Sequence, residues 1–224
     1  ALSISEVRGD GEGLDAVPAL SCLGLLSSIR GNFGEGEGYL KKALEAREKN
    51  LDIDDPETAR SLSMLAGLYV KMGNYGDAES LYKKAQTIRE KRLGKGHPSL
   101  VPSYAMAELY ESTGRYAEAE SIYVESLARM EQRLGKEHPR LARPLNALAE
   151  LYKNIQKFDQ AERLCDRIDE IMKKFDQAEH PSAAASLQTR AEVAFARGQF
   201  DKAEASGKRA LTIREKRLGP NHPD

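Results

Sequence analysis

A single period runs through this chain. Pro56, Pro98, Pro139, Pro181 and Pro223 follow one another at intervals of 42, 41, 42 and 42 residues. His97, His138, His180 and His222 each precede one of these prolines, and Asp55 stands before the remaining one. Gly31, Gly73, Gly114 and Gly198 hold a second register, with Gln156 in the same slot of the fourth copy. Stacked copies of one small unit constrain the fold more than any local motif. No copy can bury its apolar face alone, so neighbours must share a continuous core.

The unit itself is legible between Leu62 and Pro98. Leu62, Leu65, Ala66 and Tyr69 fall at i, i+3, i+4 and i+7, one stripe of a helix. Gly73-Asn74 breaks the pattern, as a glycine at a helix end does. Ala78, Leu81, Tyr82, Ala85 and Ile88 form the next stripe. Lys91 and Arg92 lie in its last turn, facing the negative helix end, and Gly94 is the stop. Each copy is therefore a helix hairpin with helices of about 14 to 18 residues, packed antiparallel across short connections. Each His-Pro should end a connection and open a helix, since proline suits the first helical position.

The whole chain, 1–224, reads as a single all-α array without an internal linker. Residues 1–14 match the end of a preceding repeat, and repeats follow at about 15–56, 57–98, 99–139, 140–181 and 182–224. Both ends fall within the pattern, so a piece of a longer repeat protein is expected. In the first full copy the helices should span about Val17 to Ile29 and Gly34 to Leu51. Gly36 stands there in the slot of Ala78 and Ala119, where it permits close helix contact. Gly38, inside the helix, costs roughly 1 kcal/mol relative to alanine. The third copy's first helix should start near Ser99 to Val101. Pro144 should delay or bend the fourth copy's first helix. In the fifth, Arg190 replaces the leucine of Leu65 and Leu148 and Gly207 replaces Tyr82; a charge in a packing slot implies a looser copy, or an acid partner such as Glu162 or Glu192.

Composition narrows the function classes. Lys+Arg 34 against Asp+Glu 35 leaves a net charge of −1, whereas a nucleic-acid-binding array is usually clearly basic. No apolar run approaches a membrane span. Cys22 and Cys165 lie at different repeat positions, which argues against a disulfide and for a reducing, cytoplasmic setting. Cys165 takes the slot of Tyr82 and Tyr123 and should be a packing residue.

LAGLYVKMGNYGDAESLYKKA and AELYESTGRYAEAESIY resemble tetratricopeptide repeats in their order of small residue, aromatic, glycine, aromatic, alanine. The period of 42 exceeds that family's usual repeat of about 34 residues. The endings TIREKRLGKGHP and TIREKRLGPNHP are similar to the long repeats of kinesin light chains and their bacterial and nephrocystin-like relatives. The resemblance implies a right-handed superhelical solenoid whose first helices line a concave groove for short peptides. Carried over by register, the groove residues are Arg60, Ser63, Gly67, Val70 and Lys71 in the second copy. In the third they are Val101, Tyr104, Glu108, Glu111 and Ser112. The fourth supplies Arg143, Asn146, Glu150, Lys153 and Asn154, and the fifth Gln188, Glu192 and Phe195. Kinesin light chains read LNNLA here, and the first Asn supports contacts to peptide backbone. Only Leu145-Asn146-Ala147-Leu148-Ala149 keeps that Asn; Ser63, Tyr104 and Gln188 replace it elsewhere.

Other chemistries find little support. Metal ligands must converge on one ion, whereas histidines one repeat apart are separated by two helices. No nucleophile elbow or phosphate loop is present, and GNFGEGEG lacks the strand and glycine spacing of one. The run at Arg89 to Arg92, repeated at Arg214 to Arg217, is explained by the helix dipole and solvation. Tyr69, Tyr110 and Tyr152 repeat at packing slots. The chain thus reads as a non-catalytic scaffold, without cofactor or metal, that captures a peptide or partner helix in a groove of mixed sign. The groove is basic toward the second copy and acidic in the third and fifth. On this reading Asn146→Ala and Tyr104→Ala weaken partner binding with melting almost unchanged. The alternatives are a self-assembly module joining end to end, or a regulatory domain of a larger protein.

Overall fold

A computed structural model describes residues 13–52, 54–94 and 104–218. The helices are α1 Val17–Ile29, α2 Phe33–Asn50, α3 Pro56–Lys71, α4 Tyr75–Leu93 and α5 Tyr104–Ser112. They continue with α6 Tyr116–Leu134, α7 Ala142–Asn154, α8 Phe158–Lys174, α9 Pro181–Ala196 and α10 Phe200–Leu218. Short 3-10 turns at Leu14–Ala16 and Pro139–Leu141 precede α1 and α7, and no strand occurs among the described residues. Contacts group the chain into two compact units, residues 1–113 and 114–224.

In the first unit α1 packs on α2, α2 on α3, α3 on α4, and α4 on α5. The stripes explain the order. Leu62, Leu65 and Ala66 of α3 and Ala78, Tyr82 and Ala85 of α4 are buried. Leu65 and Leu68 meet Leu40 of the preceding hairpin, while Ala66 and Tyr82 meet Leu109 of the next. Each such leucine removed from water contributes about 2 kcal/mol, a gain available only when hairpins stack. The second unit repeats the scheme. Its α7 packs on α8 and α9, and α9 packs on α10. Leu145, Leu148, Ala161, Cys165 and Ile168 have no more than 4% exposure. Cys165 is the packing residue its slot suggests, and both cysteines are free thiols.

The tight turns share one conformation. Gly31, Gly73, Gly114 and Gly198 have φ of +81°, +79°, +74° and +73°. Gln156 is forced to φ +60° in the same slot, closing with Gln156 N to Lys153 O at 3.0 Å and Lys157 N to Tyr152 O at 2.8 Å. A side chain in this left-handed region meets the steric cost that glycine avoids.

The helix starts also share one device. Asp55 Oδ1 accepts from Glu57 N at 2.8 Å, capping α3. His138 Nδ1 accepts from Arg140 N at 3.1 Å, and His180 Nδ1 accepts from Ser182 N at 3.2 Å. The histidine before each described proline is thus an N-cap, equivalent to the aspartate of the second copy. His97 and His222 lie outside the described residues.

The first copy's helices fall within one residue of the spans read from sequence. Gly24 and Gly36 mark where α1 and α2 cross: a Cβ on Gly36 would lie 3.0 Å from Gly24 O, and one on Gly24 would lie 2.6 Å from Leu40 Cγ. Gly38 faces open space. The start expected near Ser99 to Val101 lies outside the described residues. Of the two outcomes expected at Pro144, the late start is seen: the 3-10 turn at Pro139–Leu141 delays α7 to Ala142, leaving Pro144 in the first turn. Helix lengths extend beyond the expected range, up to 19 residues in α4, α6 and α10.

Arg190 is partnered, but by neither expected acid. Its Nη1 meets Asp166 Oδ1 at 2.8 Å and its Nη2 meets Asp169 Oδ2 at 2.9 Å. Arg190 points from α9 onto α8, where these two aspartates lie, while Glu162 is held by Arg197 at 2.9 Å and Glu192 by Lys153. Gly207, in the tyrosine slot, leaves open space around its Cα.

Candidate functional site: the first-helix faces

From the second copy on, the first helices are held at up to three levels. At the C-terminal end a tyrosine hydroxyl donates to a glutamate of the preceding hairpin. Tyr69 bonds Glu37 at 2.9 Å, Tyr110 bonds Glu79 at 3.3 Å, and Tyr152 bonds Glu120 at 2.9 Å. A lysine completes each node: Lys41 on Glu37, Lys83 on Glu79, and Lys157 on Glu120. Lys157 comes from the next turn because the position one turn beyond Glu120 is Val124. Burial pushes the Tyr152 hydroxyl up to about 12, with the Glu120 hydrogen bond and charge adding to it. Burial opposes the Glu120 charge, yet the Lys157 and Tyr152 bonds prevail and hold its carboxyl below the usual range. In the last copy Ala194 takes the tyrosine slot, and Arg197 reaches Glu162 and Asp159 instead.

At its N-terminal end the hairpin is clasped by the last turn of the second helix. Lys91 meets Asp54 at 3.1 Å, Lys216 meets Glu179 at 2.6 Å, and Lys174 meets Glu137. The third copy has Gln132 and Gly96 in these slots, so lysine and acid are lost together. The basic run is therefore more than a solvated helix end.

Between these ends lies the register of LNNLA. In the second copy Ser63 Oγ accepts from Arg89 Nη2 at 2.8 Å and donates to Ala59 O at 2.9 Å. In the fifth, Arg214 reaches Gln188 in the same way. The intervening copies carry Met130 and Met172 in the arginine slot. There Asn146, only 7% exposed, turns forward, its Nδ2 donating to Ser182 O at 2.9 Å. Its Oδ1 is buried without a hydrogen-bond partner among the described residues.

The remaining groove residues divide by unit. In the first, Arg60 and Lys71 are exposed, with Arg60 3.9 Å from Glu57. Gly67 lies over Tyr82, whose hydroxyl would be 3.5 Å from a Cβ there. Burial, then the charge of Glu108, pushes the Tyr82 hydroxyl up to about 12. Tyr104 and Glu111 are half-buried, Glu108 and Ser112 are exposed, and Val70 packs beside Ala66. Val101 lies outside the described residues. In the second unit Arg143, Glu150 and Asn154 are exposed. Lys153 reaches across from α7 to Glu192 of α9, and Gln188 Nε2 donates to Glu192 at 3.0 Å. Burial would raise the Glu192 carboxyl, but Lys153, Gln188 and Arg214 hold it below the usual range. Phe195 is 66% exposed and stacks edge-on against Phe200 at 5.6 Å. Each unit thus presents a polar band on its first helices. In the second the band is cross-linked from hairpin to hairpin.

No helix among the described residues is long and apolar enough to cross a membrane. Hairpins repeating every 41 or 42 residues, with left-handed turns and inter-hairpin tyrosine nodes, define an all-α helical repeat protein. The tetratricopeptide repeat family matches residues 15–91, 100–174 and 148–216, and the chain belongs to it. No curated protein sequence matches. Among solved structures it is similar to a kinesin light chain of nearly identical repeats from Podosopora anserina. That match has 25% identity and a TM-score of 0.73, covering 89% of this chain and 95% of that one. It is also similar to BtubC of P. vanneervenii, at 25% identity and a TM-score of 0.71, covering 94% and 84%. The repeats are of the kinesin-light-chain-like type, and the protein is a protein-interaction scaffold.

Proposed function

We propose that the first-helix face of each unit binds a peptide segment or partner helix and performs no catalysis. The observation that carries this reading is the second unit's band, where Lys153–Glu192 and Asn146–Ser182 join α7 to α9 into one polar surface. Arg143 and Glu150 are exposed on this surface, where a partner would meet them. In the first unit Arg60 and Lys71 supply positive charge and Glu108 negative charge, which sets the register of a partner more than its affinity. Tyr104 is the aromatic anchor. The experiment is selection of peptides from a random displayed library, followed by affinity measurement on variants. Arg60→Glu with Lys71→Glu, both exposed, should weaken a selected peptide about tenfold or more, with circular dichroism unchanged. Affinity indifferent to this pair, to Tyr104→Ala and to Glu150→Lys would contradict the assignment.

A second reading, association of copies, has its own support in exposed apolar residues. Ile29 is 76%, Phe195 66% and Phe200 63% exposed. Sedimentation over a range of concentrations tests it: a scaffold that works alone stays monomeric, and an assembly module does not.

A further inference from the structure

Between α2 and α4 of the first unit lies a cleft of about 730 Å³, within the size range of ligand sites. Its walls are apolar: Leu44 of α2, Leu62 of α3, and Leu81 and Ile88 of α4. Thr58 of α3 lines it beside them. The second unit shows what fills this space elsewhere in the chain. There Leu141 takes the slot of Thr58 and is fully buried. Leu127 and Ile171, in the slots of Leu44 and Ile88, are 9% and 3% exposed. Arg167 of α8 meets Glu131 of α6 at 2.6 Å, joining the two second helices. The cleft left there, about 540 Å³, has Ile171 as its one apolar side chain among the described lining residues. In the first unit Thr58 is smaller than a leucine, and Leu44, Leu81 and Ile88 remain half-buried. Glu48 and Lys84 hold the slots of Glu131 and Arg167 and line the cleft, yet neither has an ion-pair partner among the described residues.

The hydroxyl of Thr58 is the independent sign of an occupant. Thr58 is 3% exposed, and its Oγ1 has no hydrogen-bond partner among the described residues. A buried hydroxyl left unpaired carries a cost that leucine in the same slot avoids. No bond holds it in one rotamer. Threonine in a helix has two, so rotation about χ1 exchanges methyl for hydroxyl at the cleft wall. What fits is a side chain with a long apolar body and a polar tip. Leucine or phenylalanine leaves the hydroxyl unmet, glutamine has two methylenes against four branched walls, and lysine or arginine brings charge onto an apolar floor. Tyrosine has both the ring and a phenol that donates and accepts. Glu48 on α2 and Lys84 on α4 match a base and an acid on either side of it.

We propose that this cleft is a second docking site, which takes a tyrosine of a partner protein flanked by a base and an acid. It does not rest on the first-helix band: Arg60, Ser63, Gly67, Val70 and Lys71 are not among its lining residues. The test is methyl NMR on protein labelled at leucine and isoleucine, titrated with three probes. These are acetyl-Lys-Ala-Tyr-Ala-Glu amide and its phenylalanine and alanine counterparts. The tyrosine peptide should shift the methyls of Leu44, Leu81 and Ile88 and bind about fivefold tighter than the phenylalanine one. The alanine peptide should not bind. Thr58→Leu, which installs the side chain the fourth copy carries, should weaken the tyrosine peptide tenfold or more. Thr58→Val keeps the shape and removes the oxygen, so tyrosine and phenylalanine peptides should then bind alike. Arg60→Glu with Lys71→Glu should leave the titration as it was, which keeps this result distinct from the fate of the peptide groove. No binding of the tyrosine peptide, or binding indifferent to Thr58→Leu in a folded variant, would overturn the site. Equal affinity for tyrosine and phenylalanine peptides on the unaltered protein would overturn the assignment of tyrosine. Binding lost in the Arg60 and Lys71 variant with Thr58 intact would place the peptide on the first helices and overturn the cleft as its site.

Discussion

Tyr152→Phe removes one oxygen from the node that joins α7 to the preceding hairpin. The lost bond is a phenol donating to a carboxylate at 2.9 Å, from a tyrosine only 8% exposed. Hydrogen bonds to charged groups contribute about 1.5–3 kcal/mol when buried. Glu120 keeps Lys157 at 3.0 Å and is partly solvated, so the low end applies, about 1.5 kcal/mol. Glu120→Gln leaves the tyrosine an acceptor but removes the charge. The double variant should therefore cost less than the sum of the two single ones, with a coupling of about 1 kcal/mol. Urea unfolding followed by circular dichroism measures all four proteins. The pH dependence has a fixed sign. The Glu120 carboxyl is held below its usual value of 4.5, so its contribution is fully present above that value. It is lost as pH falls through the lower value in the folded protein. The coupling should vanish there. Coupling near zero at neutral pH, or one that grows on acidification, would refute the node as an energetic link between hairpins.

Further outcomes follow from the same geometry. Gln156→Gly should stabilise the protein by about 0.5–1 kcal/mol, because φ +60° strains glutamine and not glycine. Urea midpoints check this against Gly73→Ala, which should shift the other way. His180→Ala should cost about 1 kcal/mol by removing the cap on α9, and His180→Asp should restore it, as Asp55 does naturally. Gly24→Ala should destabilise by about 1–3 kcal/mol, since its new methyl would sit 2.6 Å from buried Leu40; thermal melting of that variant beside Gly38→Ala, where space is open, reads the difference. Asn146→Ala, read from sequence as a pure binding change, should also lower the melting temperature, because the Asn146 amide bridges α7 to Ser182 of α9.

The elements that came through from sequence are those fixed by backbone chemistry. Glycine or a forced substitute marks each hairpin turn, proline opens α3, α9 and the 3-10 turn before α7, and the 3.6-residue stripe gives the buried face. Which second-helix residue each first helix touches was harder to read. Arg190 was placed in its leucine slot, but a slot does not say that Asp166 and Asp169, and not Glu162, share its height on α8. The tyrosine nodes were read as core alone because a lone glutamate on a helix looks solvated. Their signal was present in the spacing of Glu37, Glu79, Glu120 and Glu162, which keeps step with the tyrosines. The histidine caps escaped for a similar reason: Asp55 in the histidine slot is interchangeable with histidine only as a hydrogen-bond acceptor. Of the groove, the register of Ser63, Asn146 and Gln188 was visible. Their engagement by Arg89, Ser182 and Arg214 depends on side-chain reach that a pattern does not carry.

Amide hydrogen exchange with and without a selected peptide tests the binding face most directly. Slowed exchange concentrated in α3, α5, α7 and α9, with α4 and α8 unchanged, is the result this account requires. Protection centred on α2, α4, α6 or α8 would put the partner on the second helices and contradict it.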